Sequence, residues 1–313
     1  MTDLPAAAAA AQMTTSPSAR PLAIGIGEVL WDLLPSGKQL GGAPANFAYH
    51  ARQLGARSAV ISAVGRDPLG DEILARLREL GIDTQCIAVD DKHPTGTVSV
   101  NLDAAGVPSY VIHENVAWDF LHDAELDWQT FVSRARVTCF GTLAQRTWQS
   151  HACIDDVLSH ARGLKILDIN LRQHYYSRPI IEKSLGLADV LKINDDEVVV
   201  VTRLFGLTSP ADLRRMLFDK YALKLIAVTR GGKGSVLYPC DGEPLEHPGA
   251  PVTKLVDTVG AGDAFTAALA MGLLRNQPLE RINDAANRLA AYVCSMPGAT
   301  PPIPAEVAAS LWQ

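Results

Sequence analysis

The sequence predicts an α/β fold: a three-layer α/β/α sandwich on a mostly parallel central sheet, with a small β lid. Three observations carry this expectation. Apolar runs of strand length alternate with helical patterns, polar motifs follow directly on several of the strands, and one region breaks the rhythm into alternating, half-exposed segments. With 313 residues, 48% of them hydrophobic, the chain can bury a large core. The folded unit is expected to cover 21–313. Residues 1–20 are rich in Ala, Thr, Ser and Pro, with no basic start and no apolar core, and read as a disordered tail rather than a signal peptide.

Taken in order, 22–26 reads as a strand and 45–54 as a helix with the stripe Phe47, Ala48, Ala51 and Leu54. A second βα unit follows at 58–64 and 71–80. Its helix has Ile73, Leu74, Leu77 and Leu80 on one face and Gly81 at the C-terminal stop. Residues 96–102 and 107–113 alternate like half-exposed strands, joined by the turn sequence Asp103-Ala104-Ala105-Gly106. With 29–34 they are expected to form the lid, whose segments span about 29–40 and 96–120. Further strands are expected at 137–140, 165–169, 190–193 and 223–229, with helices between.

Composition excludes several functions. A formal net charge of -6 without a long basic run gives no footprint for nucleic acid or an anionic membrane. The longest apolar run, 264–274, is too short to span a bilayer and is interrupted by Thr266. Cys86, Cys139, Cys153, Cys240 and Cys294 are odd in number, scattered and form no Cys-x-x-Cys pair, which points to the reducing cytoplasm. The glycines after the first strand lack the third member of a dinucleotide fingerprint, since Leu30 stands there. Ala227 occupies the place of the first glycine of a Walker loop, and no histidine pair has zinc-protease spacing.

The most informative stretch is Asp257-Thr258-Val259-Gly260-Ala261-Gly262-Asp263-Ala264-Phe265. Phe265, Ala268, Leu269 and Leu273 then recur at helical spacing, so Gly260, Ala261 and Gly262 should form a first helical turn with unpaired N–H groups. Such a turn attracts phosphate. Asp263 can serve there as a general base or as a helix cap. As an ordinary Asp, with a pKa of about 3.9, it would be ionised at neutral pH without a large shift. Near the other end, Gly27-Glu28 and Asp32 precede Gly41-Gly42-Ala43-Pro44-Ala45-Asn46, a turn whose glycines let backbone approach a ligand and whose Asp32 and Asn46 suit sugar hydroxyls. Asp168-Ile169-Asn170-Leu171-Arg172, Asn194-Asp195-Asp196-Glu197 and Thr229-Arg230-Gly231-Gly232-Lys233-Gly234 each follow a predicted strand, where open α/β sheets bind ligands.

The pairing of Gly-Gly-Ala-Pro-Ala-Asn near the start with Asp-Thr-Val-Gly-Ala-Gly-Asp-Ala-Phe near the end resembles the ribokinase-like carbohydrate kinases. Gly27-Glu28-Val29-Leu30-Trp31-Asp32 and Phe140-Gly141-Thr142-Leu143-Ala144 are similar to the fructokinase branch, and the likeness covers about 21–300. The resemblance implies ATP-dependent phosphoryl transfer to a sugar hydroxyl, with a ketohexose favoured. It makes Asp263 the catalytic base and the N–H groups of Gly260, Ala261 and Gly262 the anion hole. Asp32, Gly41, Gly42, Asn46 and Arg172 would hold the sugar. Asn194 and Glu197 would organise Mg²⁺ and the nucleotide phosphates, Glu197 through water; Thr229, Gly231 and Gly234 would line the nucleotide; and Asn287 would contact adenosine. Several members also use K⁺ near the anion hole, which places Asp257 in the matching segment.

Some alternatives stay open at this level. Arg172 could steady transferred charge or pair with Asp168. Trp118, Asp119, Gln145 and Arg146 could face the sugar or pack elsewhere, and an apolar lid face could pair two copies into a homodimer. The competing functions are a kinase for another sugar, sugar acid or nucleoside, or a non-catalytic sugar- or nucleotide-binding protein on the same fold.

Overall fold

A computed structural model describes residues 20–313, apart from 35–36, 103–107, 123–125 and 253. The expected tail, Arg20 excepted, and the Asp103-Ala104-Ala105-Gly106 turn lie outside the described residues. In chain order the first half contains β1 (Leu22–Ile26), β2 (Leu30–Leu34), β3 (Gly37–Gly41), α1 (Ala43–Gln53), β4 (Arg57–Gly65), α2 (Pro68–Glu79), β5 (Ile87–Asp90), β6 (Gly96–Leu102) and β7 (Pro108–Ile112). Next come α3 (Trp128–Ser133), β8 (Val137–Phe140), α4 (Trp148–Ser159), β9 (Leu164–Asp168), α5 (Arg178–Leu187), β10 (Val190–Asn194), α6 (Asp195–Leu204) and α7 (Pro210–Lys220). The chain finishes with β11 (Leu225–Thr229), β12 (Ser235–Pro239), β13 (Leu245–His247), α8 (Ala261–Leu274), α9 (Leu279–Cys294) and α10 (Ala305–Ser310).

The central sheet has the order β13-β12-β11-β10-β9-β8-β1-β4-β5. From β11 to β5 its neighbours run parallel, and only the β11–β12 and β12–β13 pairs are antiparallel. Alternate residues of each strand enter opposite cores, as a pleated strand requires. Ala23, Ile166, Val190 and Ala227 pack with α1, α8 and α9, while Ile24, Leu167, Leu191 and Ile226 pack with α3 to α7. This is the expected three-layer sandwich. The chain leaves β1 toward β4 on one side and returns to β8 on the other. The crevice at this reversal lies beyond the strands' carboxyl ends, the position where such sheets bind ligands.

The lid is a separate sheet of order β3-β2-β6-β7. Its register puts Asp32, Val98 and Ile112 in one cross-strand row and Leu33, Ser99 and Val111 in the next. Val98 and Ile112 are buried against the body, so Asp32 faces inward with them; Leu33 and Val111 are exposed on the outer face. The expected lid segment at 29–40 holds β3 as an additional strand, and β5, β12 and β13 are strands the sequence did not predict. Gly37-Lys38-Gln39 is polar because β3 is an edge strand. The last two residues of the strand, Leu40 and Gly41, are buried.

α1 buries more than its apolar stripe: every residue from Pro44 to Ala51 is buried, including Asn46 and His50. The helix is enclosed because α8 and α9 cover one side while α2 and the lid residues Trp31 and Leu40 cover another. α8 is likewise buried from Ala264 to Gly272, which explains the apolar run at 264–274. Among the described residues no helix is long and apolar enough to cross a membrane.

Gly25 allows α1 to lie this deep: a Cβ there would collide with the Pro44 carbonyl group. Gly25→Ala is therefore expected to cost on the order of 1–3 kcal/mol through overpacking. The measurement is a urea unfolding curve, with the midpoint lowered and the slope unchanged.

Candidate active site

Two helix N-termini meet at the crevice. Asn46, one turn into α1, donates its Nδ2–H to Asp263 Oδ2 at 2.8 Å, joining residues 217 positions apart. The early Gly-Gly motif and the late Gly-Ala-Gly motif therefore share one site. Gly42 carries α1's entry at φ 108, pressed against the Glu28 carbonyl group, where a side chain would be both strained and obstructed. Gly41 leaves room for the Asp32 carboxylate, which a Cβ would displace.

α8 begins at Ala261 behind Gly260, whose φ of 78 and contact with the Ala299 backbone again admit only glycine without strain. Asp263 is thus the third residue of the helix and makes no capping bond, which removes the capping alternative. The expectation of three unpaired N–H groups needs correction. Ala261 N–H donates to Thr258 O at 3.3 Å, closing the turn that precedes the helix. Among the described residues the N–H groups of Gly260 and Gly262 have no protein acceptor. Below Gly262 lies the Lys192 ammonium, with Nζ 3.1 Å from where a Cβ would stand. A helix N-terminus over a buried cation favours an anion.

The site concentrates carboxyl groups. Asp263 has its pKa raised to about 6, first by burial and next by the nearby Asp168 charge, against the lowering effects of the Asn46 bond, Lys192 and Arg172. The expectation of an unshifted Asp263 is therefore corrected: desolvation disfavours its charge. Burial also raises Asp32 to about 6 and Glu28 to about 7, with Arg172 opposing both shifts. Glu28 accepts the Ala43 N–H through Oε1 at 3.3 Å, while its buried Oε2 and the buried Asn46 Oδ1 have no partner among the described residues. Asp168 does not pair with Arg172. It binds Lys192 Nζ at 3.0 Å and accepts from Thr266 Oγ1 at 2.8 Å, leaving the Arg172 guanidinium exposed and, among the described residues, bonded to Leu171 O alone.

Asn194 and Glu197 form a capping box at α6. Glu197 N–H donates to Asn194 Oδ1 at 2.8 Å, and Asn194 N–H to Glu197 Oε2 at 2.9 Å. Glu197 Oε1 accepts Leu171 N–H at 2.8 Å, which anchors the loop carrying Arg172. With both oxygens so engaged, and no group of three or more His, Cys, Asp or Glu suited to a metal among the described residues, the donor set does not build a protein-only cage. It fits a Mg²⁺ held chiefly by substrate phosphates and water. Asp257 ties its loop down by accepting from Val259 N–H and Gly298 N–H, so a monovalent cation beside it would rest on carbonyl oxygens.

Thr229 ends β11, Gly231 opens the short 3-10 turn that follows, and Gly234 closes it at φ 80 against the His247–Gly249 backbone. Asn287 lies behind this turn. Its Nδ2 donates to Ser235 Oγ at 2.7 Å and to Asn283 O at 2.8 Å, so only its carbonyl oxygen remains for a nucleotide. Trp118, Asp119, Gln145 and Arg146 are held in contacts within the protein. Asp119 pairs with Arg146 at 2.6 Å, the Arg146 guanidinium lies over the Trp118 ring, and Gln145 bonds Gly141 O and Ser184.

Lys192 and Glu28 were not among the site candidates drawn from the sequence. A lysine inside the buried strand Val190–Asn194 was the legible signal for the first. Glu28 belongs to the Gly27–Asp32 motif, but nothing local marks it as buried.

The sequence pattern described as pfkB family carbohydrate kinase matches residues 36–306. A fructokinase of Escherichia coli is 29% identical over 296 residues, covering 89% of this chain and 95% of that one. The uncharacterized sugar kinase PH1459 from Pyrococcus horikoshii, in complex with ATP, superposes with a TM-score of 0.77 at 31% identity, covering 89% of this chain and 94% of that one. A double mutant of the Vibrio cholerae O395 fructokinase, with fructose, ADP and potassium ion bound, has the same fold. Its TM-score is 0.78 at 24% identity, over 94% of this chain and 99% of that one.

The raised carboxyls carry a pH signature. Because the folded state favours their protonated forms, the associated stability is fully present below the ordinary values of 3.8 for Asp and 4.5 for Glu. It is lost as pH rises through about 6 for Asp32 and Asp263 and about 7 for Glu28. Asp263→Asn is accordingly expected to raise the thermal midpoint at pH 8, with the gain shrinking toward pH 5. A gain that stays constant across that range would detach Asp263 from the titration.

Proposed function

The chain belongs to the pfkB family of carbohydrate kinases, and from that premise we propose that it is an ATP-dependent fructokinase acting on a ketohexose. The observation that carries the catalytic part is the Asn46–Asp263 bond, which brings the sugar-binding candidates of α1 to the phosphate-binding end of α8. The sugar identity rests on the named fructokinase relatives and on the fructokinase-like segments after β1 and β8.

In this reading Asp32, the Gly41-Gly42 backbone, Asn46 and Arg172 hold the sugar so that one hydroxyl faces Asp263. Asp263 takes the hydroxyl proton on its carboxylate as the new oxygen–phosphorus bond forms and the bond to the ADP oxygen breaks. The N–H groups of Gly260 and Gly262, with Lys192 beneath them, face the negative charge on the transferred group; Arg172 steadies it from the open side. Thr229, Gly231, Gly234 and the Asn287 carbonyl line the nucleotide, with Asn194 and Glu197 shaping the loop ends beside its phosphates. Mg²⁺, when bound with the nucleotide, neutralises phosphate charge. Potassium would lie by Asp257 among backbone carbonyls. The lid excludes water when it closes over the sugar.

The test is ADP release from ATP and Mg²⁺ across a panel containing fructose, an aldopentose, a sugar acid and a nucleoside, followed by locating the phosphate on the product. Fructose is expected to give the highest kcat/KM; binding without turnover across the panel would instead mark a non-catalytic protein. Asp263→Asn should keep the fold and lose roughly 10²- to 10⁴-fold in kcat. For wild type, log kcat/KM should fall as pH drops through about 6, where Asp263 gains its proton. We further read Leu33 and Val111, exposed on the lid's outer face, as the surface through which two copies pair. Light scattering should then give twice 33.5 kDa.

A further inference from the structure

At the opposite rim of the sheet, where β1 and β4 begin, there is a cavity of about 380 Å³. Three arginines line it. Arg52 stands in the last turn of α1, Arg57 opens β4, and Arg78 stands in the last turn of α2. The chain as a whole is acidic, yet among the described residues none of the three pairs with a carboxylate. Asp83 also lines the cavity, but its carboxylate accepts from the Gln85 main-chain N–H at 3.0 Å and from Gln85 Nε2 at 2.9 Å.

Among the described residues, two of the guanidinium groups are held in place by their Nε alone. Arg52 Nε–H donates to Leu80 O at 3.1 Å with the group flat against Gly81, where a Cβ would strike it. Arg78 Nε–H donates to Thr84 Oγ1 at 3.1 Å. Their terminal nitrogens stay open, which is the fork that receives phosphate in a bidentate manner. Basic residues in last helical turns also offset helix dipoles, which accounts for charge at Arg52 and Arg78. It accounts for neither Arg57, on a strand, nor Ser58. Ser58 lines the same cavity, is 3% exposed, and its hydroxyl has no hydrogen-bond partner among the described residues. A buried hydroxyl without a partner is unusual enough to call for one.

We propose that this cavity is a second anion site, remote from the transfer site, that takes a phosphate group either as the free ion or at the end of a small phosphate ester. The volume lies within the range of small-molecule sites and exceeds what a bare phosphate fills. α1 connects the two places directly, with Asn46 at the transfer site and Arg52 here.

The test is calorimetric titration of the full chain with sodium phosphate, and separately with glycerol phosphate, against sodium chloride at equal ionic strength. Arg57→Gln combined with Arg78→Gln should weaken one binding event at least tenfold, while Arg172→Gln leaves that event in place. Equal affinity for the two probes assigns the free ion, and tighter binding of glycerol phosphate assigns the ester. Unchanged affinity in the double variant, or loss of the event in Arg172→Gln, overturns the proposal. Arg57 and Arg78 are exposed, so both variants should retain the unfolding midpoint seen in chloride; if the double variant does not, Arg57→Gln alone carries the comparison, with the same tenfold weakening expected.

Discussion

A single side-chain contact, Asn46 with Asp263, organises this molecule, because it can form only if two helices bury their N-termini against each other at the centre of the sheet. α1 reaches that position by losing side chains beneath it: Gly25 under Pro44, Gly42 beside Glu28. α8 reaches it through the left-handed Gly260, held by the segment around Ala299. That segment is in turn fixed from α1, since His50 donates Nε2–H to Ala299 O and Tyr49 donates its hydroxyl to Pro301 O. Burial holds His50 near pKa 4, so its imidazole stays neutral and the bond persists across physiological pH. The helix that presents Asn46 thus also supports the turn that presents Asp263.

Convergence of this kind has an electrostatic cost. Three carboxyl groups are drawn into one partly dry crevice, and each is pushed upward in pKa mainly by desolvation. The structure limits the damage by giving Asp168 a buried partner in Lys192 and by leaving the Arg172 guanidinium exposed. Arg172 then lowers Glu28, Asp32 and Asp263 together while remaining available to a ligand. Strain of this sort belongs at a functional site, where charge is held ready for a substrate at the expense of folding stability.

The lid and the ends of β9 and β10 are joined to this centre by hydrogen bonds. Glu197 binds the Leu171 N–H and closes the capping box at Asn194, so one carboxylate sets the ends of β9 and β10 together. Gln173 donates to the Tyr110 carbonyl and Tyr175 to Glu114, which links the loop after β9 to the lid hairpin. Arg172 lies between these attachments. Its position therefore depends on two elements that are far apart in sequence.

Much of this was legible in the chain because local patterns dictate it. The alternation of apolar runs specified the parallel sheet; the spacing after Asp263 specified α8, and the glycines specified the places where backbone must turn or approach closely. The same residues, through their family resemblance, pointed to Asp263, Asn46 and Arg172 as one constellation. Tertiary structure alone decided the rest, since burial and pairing depend on what arrives from elsewhere. It enclosed α1 on all sides, gave Asp168 to Lys192 rather than to Arg172, and turned Asp119 and Arg146 toward each other. It also removed water from Glu28, Asp32 and Asp263. A residue's type fixes what chemistry it can perform, whereas its solvent and its neighbours, which set its charge and its free valences, come from segments that no local window contains.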